Sequence, residues 1–333
     1  MPRPLFPKSL PEFMRQFPDE EAAMKWIVEA RWPDGFDCPR CHHNAFYART
    51  AKREFECGKC GYVVSVTAQT VMHKTRTPLV TWLLCAWIMV TDKRGVSAAQ
   101  IERQLGLRHE TAFQMLHKLR AAMVAPERTL LRGVVEVDES QLGAARRGRP
   151  AGEVFEKVHI VGAVEVHEFE GKKGTGTRPG RIRLRLVPAR TKEHLLTFVG
   201  ENVEPGSTVV TDALAHYANL RLGGYKRRIE STTLGMAEAD ILKHYHLVIS
   251  NLKTWLAGTF HGRVEPKHLQ AYLNEYVFRF NRRGNLYAAF ARLLGIGTRV
   301  RGPEYEQLYA DEGEEFGWAH PNPKPSLARG VRG

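Results

Sequence analysis

A chain of 333 residues with 49 Lys and Arg against 36 Asp and Glu is long enough for two or three domains, and its formal charge of +13 suits a polyanionic partner rather than a basic one. Its 43% hydrophobic and 26% charged residues exclude a disordered chain. The longest apolar run, from Pro78 to Val90, falls short of the ~20 residues needed to cross a bilayer, so it reads as a buried helix and no membrane association is expected.

Met1-Pro-Arg-Pro-Leu-Phe-Pro7 lacks the apolar core of a secretory signal, and the cysteines sit in C-x2-C pairs, so a reducing cytoplasm is expected. Residues 1–30 place Phe13, Phe17, Ala22, Trp26 and Ile27 at helical spacing, with Asp19 as an N-cap and acids in the first turn. Residues 31–76 carry Cys38, Cys41, Cys57 and Cys60 at the C-x2-C-x15-C-x2-C spacing of a zinc ribbon. Each knuckle aims two thiolates at one ion, and four thiolates leave no open position, so the implied zinc is structural. Phe55 and Tyr62 are expected beside it, His42 and His43 at the surface, and Arg40, Lys52, Arg53 and Lys59 on a basic face suited to DNA.

Residues 77–130 read as helical, with Cys85 in the core. Ser97 caps a first helix, Gly106 to His109 makes a turn, and a second helix follows from Glu110 to Arg120. This is a helix-turn-helix pattern, whose second helix enters the major groove; Arg108, Thr111, Gln114, His117 and Lys118 are its outward candidates for contacting DNA. An ordinary helical hairpin is the alternative.

Residues 132–300 alternate strands and helices. Strands are predicted at Val134–Asp138, His159–Val166, Arg181–Val187 and Ser207–Asp212, with a helix from Thr191 to Val203 between the last two. The order β-β-β-α-β-α fits an α/β, ribonuclease-H-like mixed sheet, in which the first and fourth strands lie side by side. Their ends then bring Asp138 and Asp212 together, and a close carboxylate pair suits divalent ions that drive in-line displacement at phosphorus. Alternation puts Glu136 on the face of Asp138. Basic loops are expected at Arg146–Arg149 and Gly171–Arg178, and the tail, residues 301–333, turns rich in Pro, Gly and Arg from about Gly313, the composition of a disordered segment.

The ribbon, Val-Asp138-Glu-Ser, Val-Val-Thr-Asp212-Ala and the stretch from His244 to Arg283 together resemble the insertion-sequence transposases of the family numbered 1595, over about residues 10 to 300. The resemblance implies a DNA transposase that binds terminal inverted repeats, cleaves strands and transfers them to target DNA. It implies structural Zn2+, catalytic Mg2+ or Mn2+, double-stranded DNA as partner, and a homodimer or higher synaptic oligomer. Asp138 and Asp212 match the first two acids of the family's catalytic set and Lys253 its added lysine, a phosphate contact. The third position, Glu, Asn or His in the family, falls on His246, seven residues before Lys253 and so on its helix face. Asn251 is the other candidate. Imidazole and amide are poorer Mg2+ ligands than carboxylate, which leaves a catalytically dead DNA-binding regulator as the alternative, and a structure-specific nuclease as a third reading. Trp82, Trp87, Trp255 and Phe280 are expected in the core, and Arg279, Arg282 and Arg283 along a DNA channel.

Overall fold

The computed structural model describes residues 7–49, 52–125, 128–142, 158–171, 174–261 and 264–309. The chain divides into two compact units, Met1–Pro126 with Arg282–Gly333, and Glu127–Asn281.

The first unit opens with α1 (Leu10–Gln16) and α2 (Glu20–Arg31), each started by a side-chain cap. Asp19 Oδ1 accepts from Ala22 N at 2.9 Å, filling one of the donors every helix start leaves open. A three-stranded antiparallel sheet follows, β1 (Phe46–Arg49), β2 (Glu54–Cys57) and β3 (Val63–Ser65). The apolar run from Pro78 becomes α3 (Leu79–Thr91), with Leu79, Trp82, Leu83, Cys85, Ala86, Met89 and Val90 buried. Next come α4 (Ala98–Leu105), capped by Ser97, and α5 (His109–Ala121). The turn between them needs a left-handed residue, which Gly106 supplies at φ +63.

The second unit holds β4 (Val134–Leu142), β5 (Val158–Gly171), β6 (Gly174–Val187), α6 (Lys192–Asn202), β7 (Thr208–Thr211), β8 (Lys226–Ile229), α7 (Lys243–Phe260) and α8 (Pro266–Asn281). The sheet order is β6-β5-β4-β7-β8, antiparallel through the first three and parallel from β4 to β7 to β8. That is the strand order of a ribonuclease-H-like core. Both faces are covered, and β4 gives apolar residues to each. Val135 and Val137 join Leu195, Phe198 and Val199 of α6 on one side. Leu142, Ile160, Val164 and Leu184 join Tyr245, Val248 and Leu252 of α7 and Leu273 of α8 on the other.

One expectation changes here. Gly174 to Arg178 is strand, part of the β5–β6 hairpin; residues 172 and 173 lie outside the described residues, as do Arg146–Arg149 and the tail beyond 309. The polar face of Arg181, Arg183 and Arg185 is not open to solvent. Arg183 and Arg185 are buried, Arg185 pairs with Glu201 of α6, and Arg181 holds buried Glu165 through Nε at 2.9 Å and Nη2 at 2.6 Å. Strand alternation is read from polarity alone, and paired guanidinium groups satisfy a covered face as well as an open one.

The chain then returns to the first unit with α9 (Leu286–Gly297) and α10 (Tyr305–Tyr309). The Phe290 ring lies 5.7 Å from Trp26, and Gly297 O accepts from Val71 N at 2.9 Å. The α/β unit therefore ends at Asn281, whereas the sequence reading carried it to residue 300.

Candidate functional site

The four cysteines of the ribbon converge. Cys38, Cys41, Cys57 and Cys60 place their sulfurs within 4.8 Å of one another. Cys38 Sγ is 3.8 Å from Cys60 Sγ, and Cys41 Sγ 3.6 Å from Cys57 Sγ. A tetrahedral ion with Zn–S of about 2.3 Å needs sulfurs roughly 3.8 Å apart, so the tetrad fits zinc and leaves no open position. Backbone N–H groups of Cys60 and Lys59 hold the Cys57 thiol down at about 6, favouring the ligand form. Phe55 packs beneath with Trp32, Phe36 and Phe46; Tyr62, expected beside the ion, is 40% exposed and contributes its backbone carbonyl to Cys57 N. Arg53 leaves the expected basic face, because it pairs with Glu20 at 2.9 Å.

The second constellation is acidic. Parallel pairing aligns Val134 with Thr208, Val135 with Val209 and Glu136 with Val210. Carried two residues past its last pair, that register brings Asp138 level with Asp212. Asp212 is fixed by a turn in which its Oδ1 accepts from Leu214 N at 3.0 Å, while Arg227 of β8 donates to its carbonyl at 3.1 Å. Burial pushes the Asp138 carboxyl up to about 7; its Oδ1 accepts from Glu139 N, which opposes the shift, and the negative fields of Glu139 and Asp212 add to it. A carboxylate that resists ionising beside another carboxylate is relieved by a divalent cation, so the pair fits one.

The acids flanking Asp138 are engaged elsewhere. Glu139 turns to the opposite face, where Tyr217 OH donates to it at 2.7 Å and Arg190 Nε at 3.0 Å. Glu136 shares the face of Asp138 and is 4% exposed. It accepts from His244 Nδ1 at 2.6 Å and from Tyr245 N at 2.7 Å.

Helix α7 carries the remaining candidates. Tyr245, Val248, Ile249, Leu252 and Leu256 form its buried face, and His246, Asn251 and Lys253 are exposed. Seven residues, two helical turns, put His246 and Lys253 on one flank, with Asn251 on the other. Among the described residues, the cysteine tetrad is the one group of three or more His, Cys, Asp and Glu arranged to hold a metal ion. Asp138 and Asp212 are near enough for the charge of one to act on the other, and His246 forms no ligand group with them.

In the helix-turn-helix segment, Arg108 is exposed at the start of α5, and Thr111 is half-buried. His117, expected to point outward, is fully buried against Phe113, with ring centroids 4.4 Å apart. Gln114 hydrogen-bonds Tyr309 of α10, and Lys118 lies against Gly302, where burial lowers its pKa. The residues after α9 therefore cover part of the face read as outward, a contact no local pattern announces. Arg279 is likewise not a channel lining residue, since it pairs with buried Glu275 at 3.2 Å.

Sequence reasoning missed Tyr245 and Arg190. The Tyr245 hydroxyl donates to Ser140 at 3.2 Å, and its ring lies on Gly162, where a Cβ would come within 2.8 Å of it. Only the pairing of β5 beneath α7 makes that glycine meaningful.

The strand order and helices of this unit are those of a ribonuclease-H-like core. Residues 130–281 match the ISXO2-like transposase domain, and residues 18–63 the transposase zinc-ribbon domain, both of the IS1595 group. The chain belongs to the IS1595 transposase family. It is also 22% identical, over 217 residues covering 61% of this chain and 71% of the relative, to an "Uncharacterized protein in transposable element ISH50" of Halobacterium salinarum. No helix among the described residues is long and apolar enough to cross a membrane.

Proposed function

We propose that this protein is an active DNA transposase that recognises the terminal inverted repeats of its element, cleaves the strand ends and transfers them to target DNA. The observation that carries this reading is the β4–β7 register, which brings Asp138 level with Asp212 inside the matched domain. Asp138, Asp212 and His246 are the proposed holders of Mg2+ or Mn2+. Bound there, the ions supply Lewis-acid activation of the attacking oxygen and charge stabilisation of the leaving one. In cleavage, water attacks the phosphorus and the bond to the 3′ oxygen breaks, leaving a 3′-hydroxyl and a 5′-phosphate. In transfer, that hydroxyl attacks a target phosphodiester and a target 3′-hydroxyl leaves. Lys253 holds a non-bridging phosphate oxygen, and Arg108 contacts the backbone of the end sequence. Two ends must be held at once, so the working form is a dimer or larger, acting in the cytoplasm on double-stranded DNA.

One observation favours a second reading. His246 is exposed and outside any ligand group with the two acids, as in a DNA-binding regulator that has lost catalysis. Cleavage of a duplex bearing the element end, in Mg2+ or Mn2+, separates the two. The transposase reading expects cleavage by the wild type and its loss in Asp138→Ala and His246→Ala. Binding of end DNA without cleavage in either metal supports the regulator. Cleavage of branched DNA regardless of end sequence points instead to a structure-specific nuclease.

A further inference from the structure

The helix that bears His246 and Lys253 has no side-chain cap of its own. Its N-cap is Leu242, held in a left-handed conformation at φ +45, which costs a branched residue strain. The open donors at this helix start are met by carboxylates from the sheet. Glu230, which follows β8, accepts from Leu242 N at 3.0 Å, and Glu136 of β4 accepts from Tyr245 N at 2.7 Å. Glu136 also takes the His244 Nδ1 proton at 2.6 Å, and both side chains are about 95% buried, at 5% and 6% exposure. Two charge-assisted hydrogen bonds in a dry site therefore tie the first turn of α7 to the residue two before Asp138, on the same face of the same strand. His246 is the next residue after Tyr245.

We propose that Glu136 is a positioning residue, whose carboxylate, with His244, sets the register of α7 against β4 and so sets where His246 and Lys253 stand relative to Asp138 and Asp212. Each of its oxygens accepts from α7, and among the described residues it forms no group of three metal-binding side chains with Asp138 and Asp212. The same tie gives the buried acid at this position a role that a hydrophobic residue could not fill, since a hydrophobic residue would pack but would not cap. The proposal rests on the reading of Asp138 and Asp212 as ion-holding residues.

The test is Mn2+ titration of the zinc-loaded full chain, read by electron paramagnetic resonance, alongside end cleavage. Asp138→Ala marks which Mn2+ belongs to the acid pair. Glu136→Ala should weaken that Mn2+ at least tenfold and slow cleavage by a similar factor. Glu136→Gln should stay within about threefold of wild type, since an amide can accept from Tyr245 N and donate to an imidazole nitrogen. His244→Ala, which leaves the Tyr245 bond intact and disturbs folding less, should fall between them. A purely structural role would lower the folded fraction while leaving the Mn2+ affinity of the folded molecules unchanged, and that result overturns the proposal. So does a wild type that binds no Mn2+ requiring Asp138. A wild type that binds this Mn2+, needs Glu136 to do so, and cleaves no DNA supports the positioning role while defeating the transposase reading.

Discussion

In the ribbon, four ligands come from two short knuckles flanking one small sheet, and all four sulfurs already lie within 4.8 Å of one another. In the α/β unit, two candidate ligands come from strands far apart in the chain, and a third, His246, stands exposed on α7 and forms no ligand group with them. The first site is closed and saturated, the second open and charged. A structural ion needs a finished shell, whereas a catalytic one needs room for substrate oxygens and groups that move into place.

The comparison is broken most directly at the ribbon. Cys57→Ala should remove the zinc and unfold residues 36–66, since structural zinc contributes on the order of 10 kcal/mol to such modules. Metal content by mass spectrometry and loss of protease resistance in this segment report it, and a folded, zinc-free ribbon would contradict the closed-site account. Next in size is Asp212→Cys. Cleavage in Mg2+ should fall at least a thousandfold and recover partly in Mn2+, which accepts thiolate better than Mg2+ does. Equal loss in both ions would argue that Asp212 is not a ligand.

A third effect sharpens the charge contrast. The Asp138 carboxyl holds its proton more tightly in the folded chain than in the unfolded one. Its contribution to stability is therefore fully present below its ordinary value near 3.8 and is lost as pH rises through about 7. Without added divalent ion, the zinc-loaded protein should lose on the order of 4 kcal/mol across that window. Denaturation at stepped pH reads this directly; Asp138→Asn should flatten the curve and Mn2+ should restore stability at pH 7.

The smallest effect concerns α5. Arg108→Ala should weaken end binding and reduce the salt slope by about one, whereas Gln114→Ala, at a residue already engaged by Tyr309, should change neither. Fluorescence anisotropy at several salt concentrations distinguishes them, and a larger loss at Gln114 would mean that the face beneath α10 opens on DNA.

Much of this was legible in the chain itself. The knuckle spacing, the Asp19 and Ser97 caps, the Gly106 turn and the strand leading to Asp212 all depend on contacts within a few residues, which sequence records as pattern, whereas the strand read as ending at Asp138 runs on to Leu142 through its pairing with β5. Glu136 was half-legible: alternation placed it on the face of Asp138, but its partners belong to a helix more than a hundred residues away. His117 misled because polarity in a helical repeat does not tell solvent from a protein cover, and the segment around Gly302 and Tyr309 supplies that cover from the far end of the chain.

The sequence by itself determined the zinc ligands, the order of strands and helices, the two acids and the family, because each is written in spacing or local preference. Only the tertiary structure decided that β4 and β7 pair in the register that brings those acids level, that Arg183 and Arg185 lie buried, that α9 completes the first unit rather than the second, and that Glu136 fastens α7. These depend on which distant surfaces meet, and hydrogen bonds and ion pairs between them leave no periodic trace in either partner.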